Sequence, residues 1–292
     1  MTDAKNPTIL ITGATGNIGS ELVKQLVARD IPFRAIVRHT KDVEALSSHA
    51  GIEAVVGDFD DEQSVADALK GIDRAFLLTP SSEKAETQQK TFVDAASRAG
   101  VEHIVKQSQW AADAASPVRF LRYHAAVEAK IQASGIAYTF LRPNLFMQGL
   151  LGFRDTILQQ NKFFASVGEA KISAVDTRDI AAVAAASLTE EGHTGKVYDL
   201  TGPEALSHAE MASKLSDALG REIEFKDVPP DVMRETLLQV GFPTWQADGL
   251  LEDYAHYARG EADTVTDDIE ETTGQAPGSF ATFAHDYAPA FA

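Results

Sequence analysis

The chain contains no cysteine. That excludes disulfide bonds, thiolate catalysis and cysteine-ligated zinc, and it leaves no sign of an oxidising compartment. Long apolar runs are also missing: no stretch reaches the roughly 18 residues that a membrane span requires. The opening Met1-Thr2-Asp3-Ala4-Lys5-Asn6-Pro7 is polar and unlike a signal peptide. A cytoplasmic protein with no membrane partner is expected. Positive charge is scarce, with 26 Lys+Arg against 43 Asp+Glu and a net charge of −17. Such a surface repels a phosphate backbone, so no nucleic-acid partner is expected. The acidic group Asp58, Asp60, Asp61 and Glu62 reads as solvated surface, and no metal site is expected. Internal repeats and low-complexity segments are absent. What is present is ordinary for a globular chain: 44% hydrophobic and 24% charged residues over 292 positions, enough for one large domain or two.

The most informative stretch lies near the start. The apolar, β-branched segment Thr8-Ile9-Leu10-Ile11-Thr12 runs straight into Gly13-Ala14-Thr15-Gly16-Asn17-Ile18-Gly19. A helical pattern follows, with Leu22, Val23, Leu26 and Val27 on one face. Glycine permits backbone angles that a side chain forbids and lets the main chain approach a ligand closely. The helix start points unpaired N–H groups and a partial positive charge at the loop. Together these predict a pyrophosphate cradle and a bound dinucleotide. The second strand, Pro32 to Arg38, indicates which one. NAD-binding folds usually end this strand in an acid that holds the ribose 2′-hydroxyl. Here it ends in Arg38, with Lys41 close behind. A guanidinium can hold a 2′-phosphate through charge-assisted hydrogen bonds, so NADP(H) is favoured over NAD(H). The plainer alternative for Arg38 is a solvated surface side chain.

Strand and helix signals then alternate. Strands are expected at 52–58, 73–80, 103–108 and 136–142, and helices at 62–69, 83–99 and 120–134, the last two closed by Gly100 and Gly135. Repeated strand–helix units imply an α/β protein with a Rossmann-type doubly wound parallel sheet and helices on both faces. Ligands in such sheets sit beyond the C-terminal strand ends, which lines up Gly13 to Gly19, Arg38, Asp58, Thr79, Ser108 and Pro143 along one rim. After Pro143 the alternation breaks. An apolar, partly helical stretch spans 144–164, a short extended one 171–174, a helix 176–188, and a strand at 196–201 that could extend the sheet. A helix at 207–219, a strand at 222–228 and helices over 231–260 complete a smaller C-terminal α/β lobe. The tail aromatics Phe280, Phe283, Tyr287 and Phe291 sit at helical spacing and read as core packing. The expected division is an NADP-binding domain over 1–142, completed by about 175–201, and a substrate lobe over 143–174 and 202–292.

These pieces resemble the NmrA-like branch of the atypical short-chain dehydrogenase/reductases. The likeness rests on the glycine motif, Ala35 to Arg38, Val56-Gly57-Asp58, His124 to Glu128 and Ser134 to Gln148. It extends through Val175 to Ala181 and Thr273 to Phe280, nearly the whole chain. Members include NADPH-dependent quinone reductases, triphenylmethane-dye and azo-dye reductases, isoflavone and lignan reductases, and redox sensors that bind the dinucleotide and regulate partner proteins. The resemblance implies that Gly13, Thr15, Gly16, Asn17, Ile18 and Gly19 wrap the pyrophosphate. It implies that Arg38 meets the 2′-phosphate, that Asp58 and Phe59 flank the adenine, and that Leu77, Leu78 and Thr79 pass beside the nicotinamide ribose. Ser108, Pro143, Asn144 and Phe146 would line the nicotinamide end.

The catalytic residues do not carry over. Where lignan and isoflavone reductases place a lysine, this chain has His124, and none of its six tyrosines has lysine four residues on. Reduction of a simple ketone creates an alkoxide that needs a placed acid, whereas a quinone yields a stabilised phenolate that can take its proton from water. The second kind of substrate suits this chain better. His124 is the best remaining proton donor, and Glu128, one turn on, is placed to orient it. The alternative is that both are structural helix residues. Phe146, Met147 and Trp245 are candidate apolar substrate walls, Trp245 equally a packing residue. The expected function is an NADPH-dependent reductase of a quinone-like, azo or other conjugated small-molecule electrophile, acting as a monomer or homodimer. The alternative class is a dinucleotide-sensing regulator that binds a protein partner without turnover.

Overall fold

The structure is a computed structural model that describes residues 7–292. The polar opening segment 1–6 lies outside the described residues. Seven strands form one parallel sheet in the order β3 (Ile52–Val56), β2 (Phe33–Val37), β1 (Ile9–Ile11), β4 (Arg74–Leu77), β5 (His103–Gln107), β6 (Ala137–Pro143) and β9 (Lys196–Leu200). Central strand β1 (Ile9–Ile11) is wholly buried, as a strand covered by helices on both faces must be. Helix α1 (Asn17–Ala28) follows, then β2 (Phe33–Val37), α2 (Thr40–Ser47), β3 (Ile52–Val56) and α3 (Glu62–Ala68). β4 (Arg74–Leu77), α4 (Ala85–Ala99), β5 (His103–Gln107), α5 (Arg119–Ser134) and β6 (Ala137–Pro143) continue outward on the other side of β1. The strand order therefore reverses at β1 and β4, and the crevice at that switch point opens above the glycine loop. α4 and α5 end, as the glycines predict, in left-handed Gly100 (φ 81°) and Gly135 (φ 79°).

Past β6 a 3₁₀ turn (Met147–Phe153) leads into α6 (Arg154–Gln160), β7 (Lys162–Ala165), β8 (Lys171–Ile172) and α7 (Thr177–Thr189). β9 (Lys196–Leu200) returns to the sheet beside β6. β10 (Leu206–Ser207) pairs with β8, and α8 (His208–Leu219) starts at a Ser207/Glu210 capping box. β11 (Glu224–Asp227) pairs in parallel with β7. The helices α9 (Pro230–Gln239), α10 (Thr244–Ala258), α11 (Asp268–Thr273), α12 (Phe280–Asp286) and α13 (Ala288–Phe291) close the chain.

The core has two layers around the sheet. α1 and α7 bury Leu22, Leu26, Ile180 and Val183 on one face, and α3, α4 and α5 bury Val65, Phe92, Val127 and Ile131 on the other. A separate core holds the C-terminal lobe, where Phe280, Phe283 and Phe291 meet Phe163 and Leu215. The stretch 144–164 is helical in part, as expected, and two local details were not legible in the sequence. Phe163 and Phe164 belong to a strand, because Asn161 turns left-handed (φ 56°) and ends the helix, and β11 is there to pair. The segment behind Arg38 is a helix, α2, which lifts Lys41 away from the strand tip.

Candidate active site

The loop after β1 has the geometry a diphosphate needs. Gly13 has φ +68°, which favours glycine. A Cβ on Gly19 would lie 2.0 Å from the carbonyl oxygen of Gly13, so only glycine lets the turn pack on itself. The Gly16 amide donates to that same carbonyl at 3.0 Å. α1 begins at Gly16 with no side-chain cap and no acid in its first turn, leaving its terminal N–H groups and dipole to the crevice. Thr12 ties the floor together: its hydroxyl donates to the Leu78 carbonyl at 2.8 Å and accepts from the Leu78 amide at 2.7 Å.

This loop forms one wall of a cleft of about 480 Å³. Gly13, Thr15, Gly16 and Asn17 meet Arg38, Asp58, Phe59, Leu78 and Thr79 there, joined by Pro80, Ser82 and Gln88. Ile18 and Gly19 lie buried beneath the cradle. Arg38 is exposed on the cleft wall and, among the described residues, has no ion pair or hydrogen bond of its own. Phe59 is half-buried against Phe92 with ring centroids 5.8 Å apart, presenting a flat apolar edge. The Asp58 carboxylate accepts from the Asp60 amide at 2.9 Å and shapes that corner. A glycine cradle, a bare helix start, a free arginine and an aromatic edge in one cleft fit a phosphorylated dinucleotide. A larger hollow of about 700 Å³, between the β7–β8 turn, α9 and α10, contains none of the expected site residues.

Other expected positions lie elsewhere. Leu77 is fully buried in the core under α3 and α4, because strand alternation turns it away while Leu78 faces the cleft. Lys41 is exposed on α2 and does not line the cleft. Pro143 is buried at the end of β6. Asn144 has no spare donor: its amide nitrogen donates to Ser173 Oγ at 2.9 Å and to the Ala262 carbonyl at 2.8 Å, and its oxygen accepts from the Leu145 amide. It pins the lobe rather than reaching for a ligand. Met147 is 3% exposed inside the lobe core and forms no wall, and half-buried Phe146 bridges to Val175 and packs on the sheet layer.

The expected His124–Glu128 partnership is also corrected. Glu128 accepts from Ser108 Oγ at 2.5 Å and from Arg142 through Nε at 3.0 Å and a second nitrogen at 2.5 Å. A buried carboxylate takes the bidentate arginine on the neighbouring strand over an imidazole one turn away. This also occupies Ser108. His124 is held instead by Lys106, whose Nζ lies 2.9 Å from its Nδ1. Burial, with the Lys106 charge adding to it, keeps the imidazole well below its usual pKa, so His124 is neutral and cannot serve as an imidazolium acid. Lys106 was not singled out by sequence reasoning, yet the signal existed. A lysine inside a central parallel strand has no route to solvent.

Around this pair the lobe closes in. The Tyr123 ring sits 4.1 Å from that of His124, and its hydroxyl is 3.0 Å from Ser81 Oγ, between the cleft residues Pro80 and Ser82. Trp245 on α10 is half-buried against Phe120 and Tyr123, with the Arg119 guanidinium 5.6 Å above its ring. It therefore packs the junction of α5 and α10 and is not among the residues that line the cleft. Asp253, also on α10, accepts from Gln109 Nε2 at 3.1 and 2.9 Å, and burial pushes its carboxyl up to about 7.

Comparison with known proteins agrees with this geometry. The NmrA-like family matches residues 5–283. An NAD(P)H azoreductase from Xenophilus azovorans is 36% identical over 283 residues, covering 97% of this chain and 99% of that protein. The solved structure of the NADPH-dependent quinone oxidoreductase QOR2 of Escherichia coli with NADPH superposes with a TM-score of 0.85 at 28% identity, over 95% of this chain and 99% of that one. The Citrobacter sp. triphenylmethane reductase complexed with NADP(H) gives 0.84 at 27% identity, over 96% and 99%. Among the described residues no helix is long and apolar enough to cross a membrane. On the match that spans nearly its whole length, the chain belongs to the NmrA-like family.

Proposed function

We propose that the chain, an NAD(P)H-dependent oxidoreductase, reduces a quinone-like, azo or other conjugated electrophile by direct hydride transfer, with NADPH preferred. The observation that carries this is the cleft that runs from exposed, unpaired Arg38 through the glycine cradle to Thr79, Pro80 and Ser82, beside Tyr123. When bound, the dihydronicotinamide supplies the hydride. The protein contributes binding and orientation. Gly13, Gly16 and the start of α1 hold the diphosphate, Arg38 pairs with the 2′-phosphate, and Phe59 flanks the adenine. The substrate lobe is built from residues 143–174 and 202–292, and its α10 is seated on Phe120 and clamped by the Arg119–Glu252 ion pair at 2.7 Å.

The substrate class follows from what the reducing end lacks. His124 is neutral, and burial pushes the Tyr123 hydroxyl up, which makes it a weaker acid than a free phenol, with its hydroxyl engaged by Ser81. An alkoxide would form there with only weak acids to meet it. A quinone, azo or cationic dye spreads the incoming negative charge over its own π-system and takes any proton from water. Incubation with NADPH and a panel of quinones, azo dyes, triphenylmethane dyes and simple ketones tests this by the loss of NADPH absorbance. Consumption with the conjugated acceptors and not with the ketones is expected. Tight NADPH binding without turnover of any acceptor, together with cofactor-dependent capture of a protein partner, would instead make the chain a sensor.

A further inference from the structure

Lys106 is fully buried in β5, at 0% exposure, and its ammonium has two partners: the Gln107 carbonyl at 2.6 Å and His124 Nδ1 at 2.9 Å. An ammonium group can only donate. The nitrogen it meets must therefore present a lone pair, and a neutral imidazole that accepts at Nδ1 carries its hydrogen on Nε2. Among the described residues that Nε2 has no hydrogen-bond partner within the chain, and His124 retains 7% exposure. The imidazole packs against the Tyr123 ring at 4.1 Å with the planes tilted by 32°, and the Tyr123 hydroxyl contacts Ser81, which lies between the cleft residues Pro80 and Ser82.

We propose that Lys106 is a positioning residue, which fixes His124 as its Nε2–H tautomer so that a neutral imidazole donates a hydrogen bond to the negative charge developing on the acceptor. The proposal rests on the reductase function above. Hydride from the cofactor brings both electrons to the acceptor, and the proton that completes the reduced product comes from water. His124 keeps its own hydrogen, and no bond to it breaks. A fixed N–H aimed at a developing anion in a dry site needs no proton transfer to act.

The arrangement also responds to pH. Burial brings the Lys106 ammonium down to about 7, opposed in part by the nearby Glu128 carboxylate. The other groups facing this cluster are Tyr123 on α5, Arg142 on β6, which is bonded to Glu128, and Asp253 on α10. Below about 7 the ammonium enforces the tautomer. Above it the amine has a lone pair, can accept from Nδ1, and releases the constraint.

The direct test is ¹⁵N NMR of the histidine side chains of the full chain at pH 6, with the His124 signal assigned by its loss in His124→Gln. A bare Nδ1 and a protonated Nε2 are expected, with a second tautomer appearing as pH rises through about 7. In Lys106→Met the Nδ1–H form should appear at pH 6. Its kcat should fall about ten- to a hundredfold, up to the low end of what a lost anion-stabilising donor costs, because the donor is misoriented and not removed. NADPH affinity and acceptor KM should hold, and the fall in kcat above about pH 7 expected of the native protein should be absent. A native His124 protonated at Nδ1, or a Lys106→Met protein with an unchanged kcat–pH profile, would overturn the proposal. The tautomer is read on the native protein, so the NMR decides even if the variant does not fold. Absence of turnover with every acceptor would count against the reductase function instead, with the tautomer still measured.

Discussion

Arg38→Ala should separate the two dinucleotides. Arg38 is exposed at the tip of β2, lines the cleft, and among the described residues makes no ion pair or hydrogen bond. Its removal therefore leaves no buried charge behind, and the fold should not notice. A hydrogen bond to a charged group contributes about 1.5–3 kcal/mol. At about 1.4 kcal/mol per tenfold change in affinity, the loss for NADPH is roughly ten- to a hundredfold. Solvent screening at so open a position points to the lower part of that range, and the penalty should shrink as salt rises. NADH carries no 2′-phosphate, so its affinity should stay within about twofold of the native value by the same arithmetic. Fluorescence titration of native and variant protein with each cofactor at two salt concentrations measures all of this, and a thermal melt should show an unchanged Tm. Equal losses for NADPH and NADH would refute the assignment of Arg38 to the 2′-phosphate. A Lys41→Ala variant, which alters an exposed α2 side chain outside the cleft, should cost NADPH far less.

Two further predictions concern the buried charges. Arg142→Met should destabilise the protein by about 3–5 kcal/mol, because it strands the Glu128 carboxylate, whose side chain is only 6% exposed; urea unfolding measures it, and Glu128→Gln added to Arg142→Met should recover part of the loss. Asp253 has a folded-state pKa raised from 3.8 to about 7, so its contribution to stability is fully present below about pH 4 and is lost as pH rises through about 7. Asp253→Asn, which keeps an acceptor for Gln109, should remove that dependence and gain on the native protein by on the order of a few kcal/mol between pH 4 and pH 8. Parallel pH slopes for the two proteins in urea unfolding would show that Asp253 is not desolvated as the structure places it.

The parts of this molecule written in local pattern were legible from sequence. β1 running into Gly13, Gly16 and Gly19 announces a strand, a tight turn and a bare helix start within a dozen residues, and Gly100 and Gly135 mark their helix ends. The aromatic spacing of Phe280, Phe283 and Phe291 identifies core packing, as found. What failed depends on partners distant in sequence. His124 and Glu128 do share a helix face, but β5 and β6 bring Lys106 to one and Arg142 to the other, and a charged partner within hydrogen-bond distance outcompetes a neighbour one turn away. The family resemblance puts Asn144 at the nicotinamide end, and Met147 reads as an apolar wall because it opens the lobe after Pro143. Only the fold reveals that Ala262 and Ser173 consume the asparagine amide, and that the lobe core takes the methionine. Lys106 was readable in principle, since a charged residue between buried strand neighbours must find a partner indoors.

The central claim is hydride transfer from NADPH to a conjugated acceptor, and isotope transfer measures it most directly. NADPH carrying deuterium on either face of C4 is incubated with the protein and a triphenylmethane dye, whose central carbon retains a transferred hydride without exchange. Mass spectrometry of the colourless product should find one deuterium at that carbon from one of the two labelled cofactors and none from the other. Cofactor that binds at the cleft yet leaves no deuterium in this or any other conjugated acceptor would contradict the account.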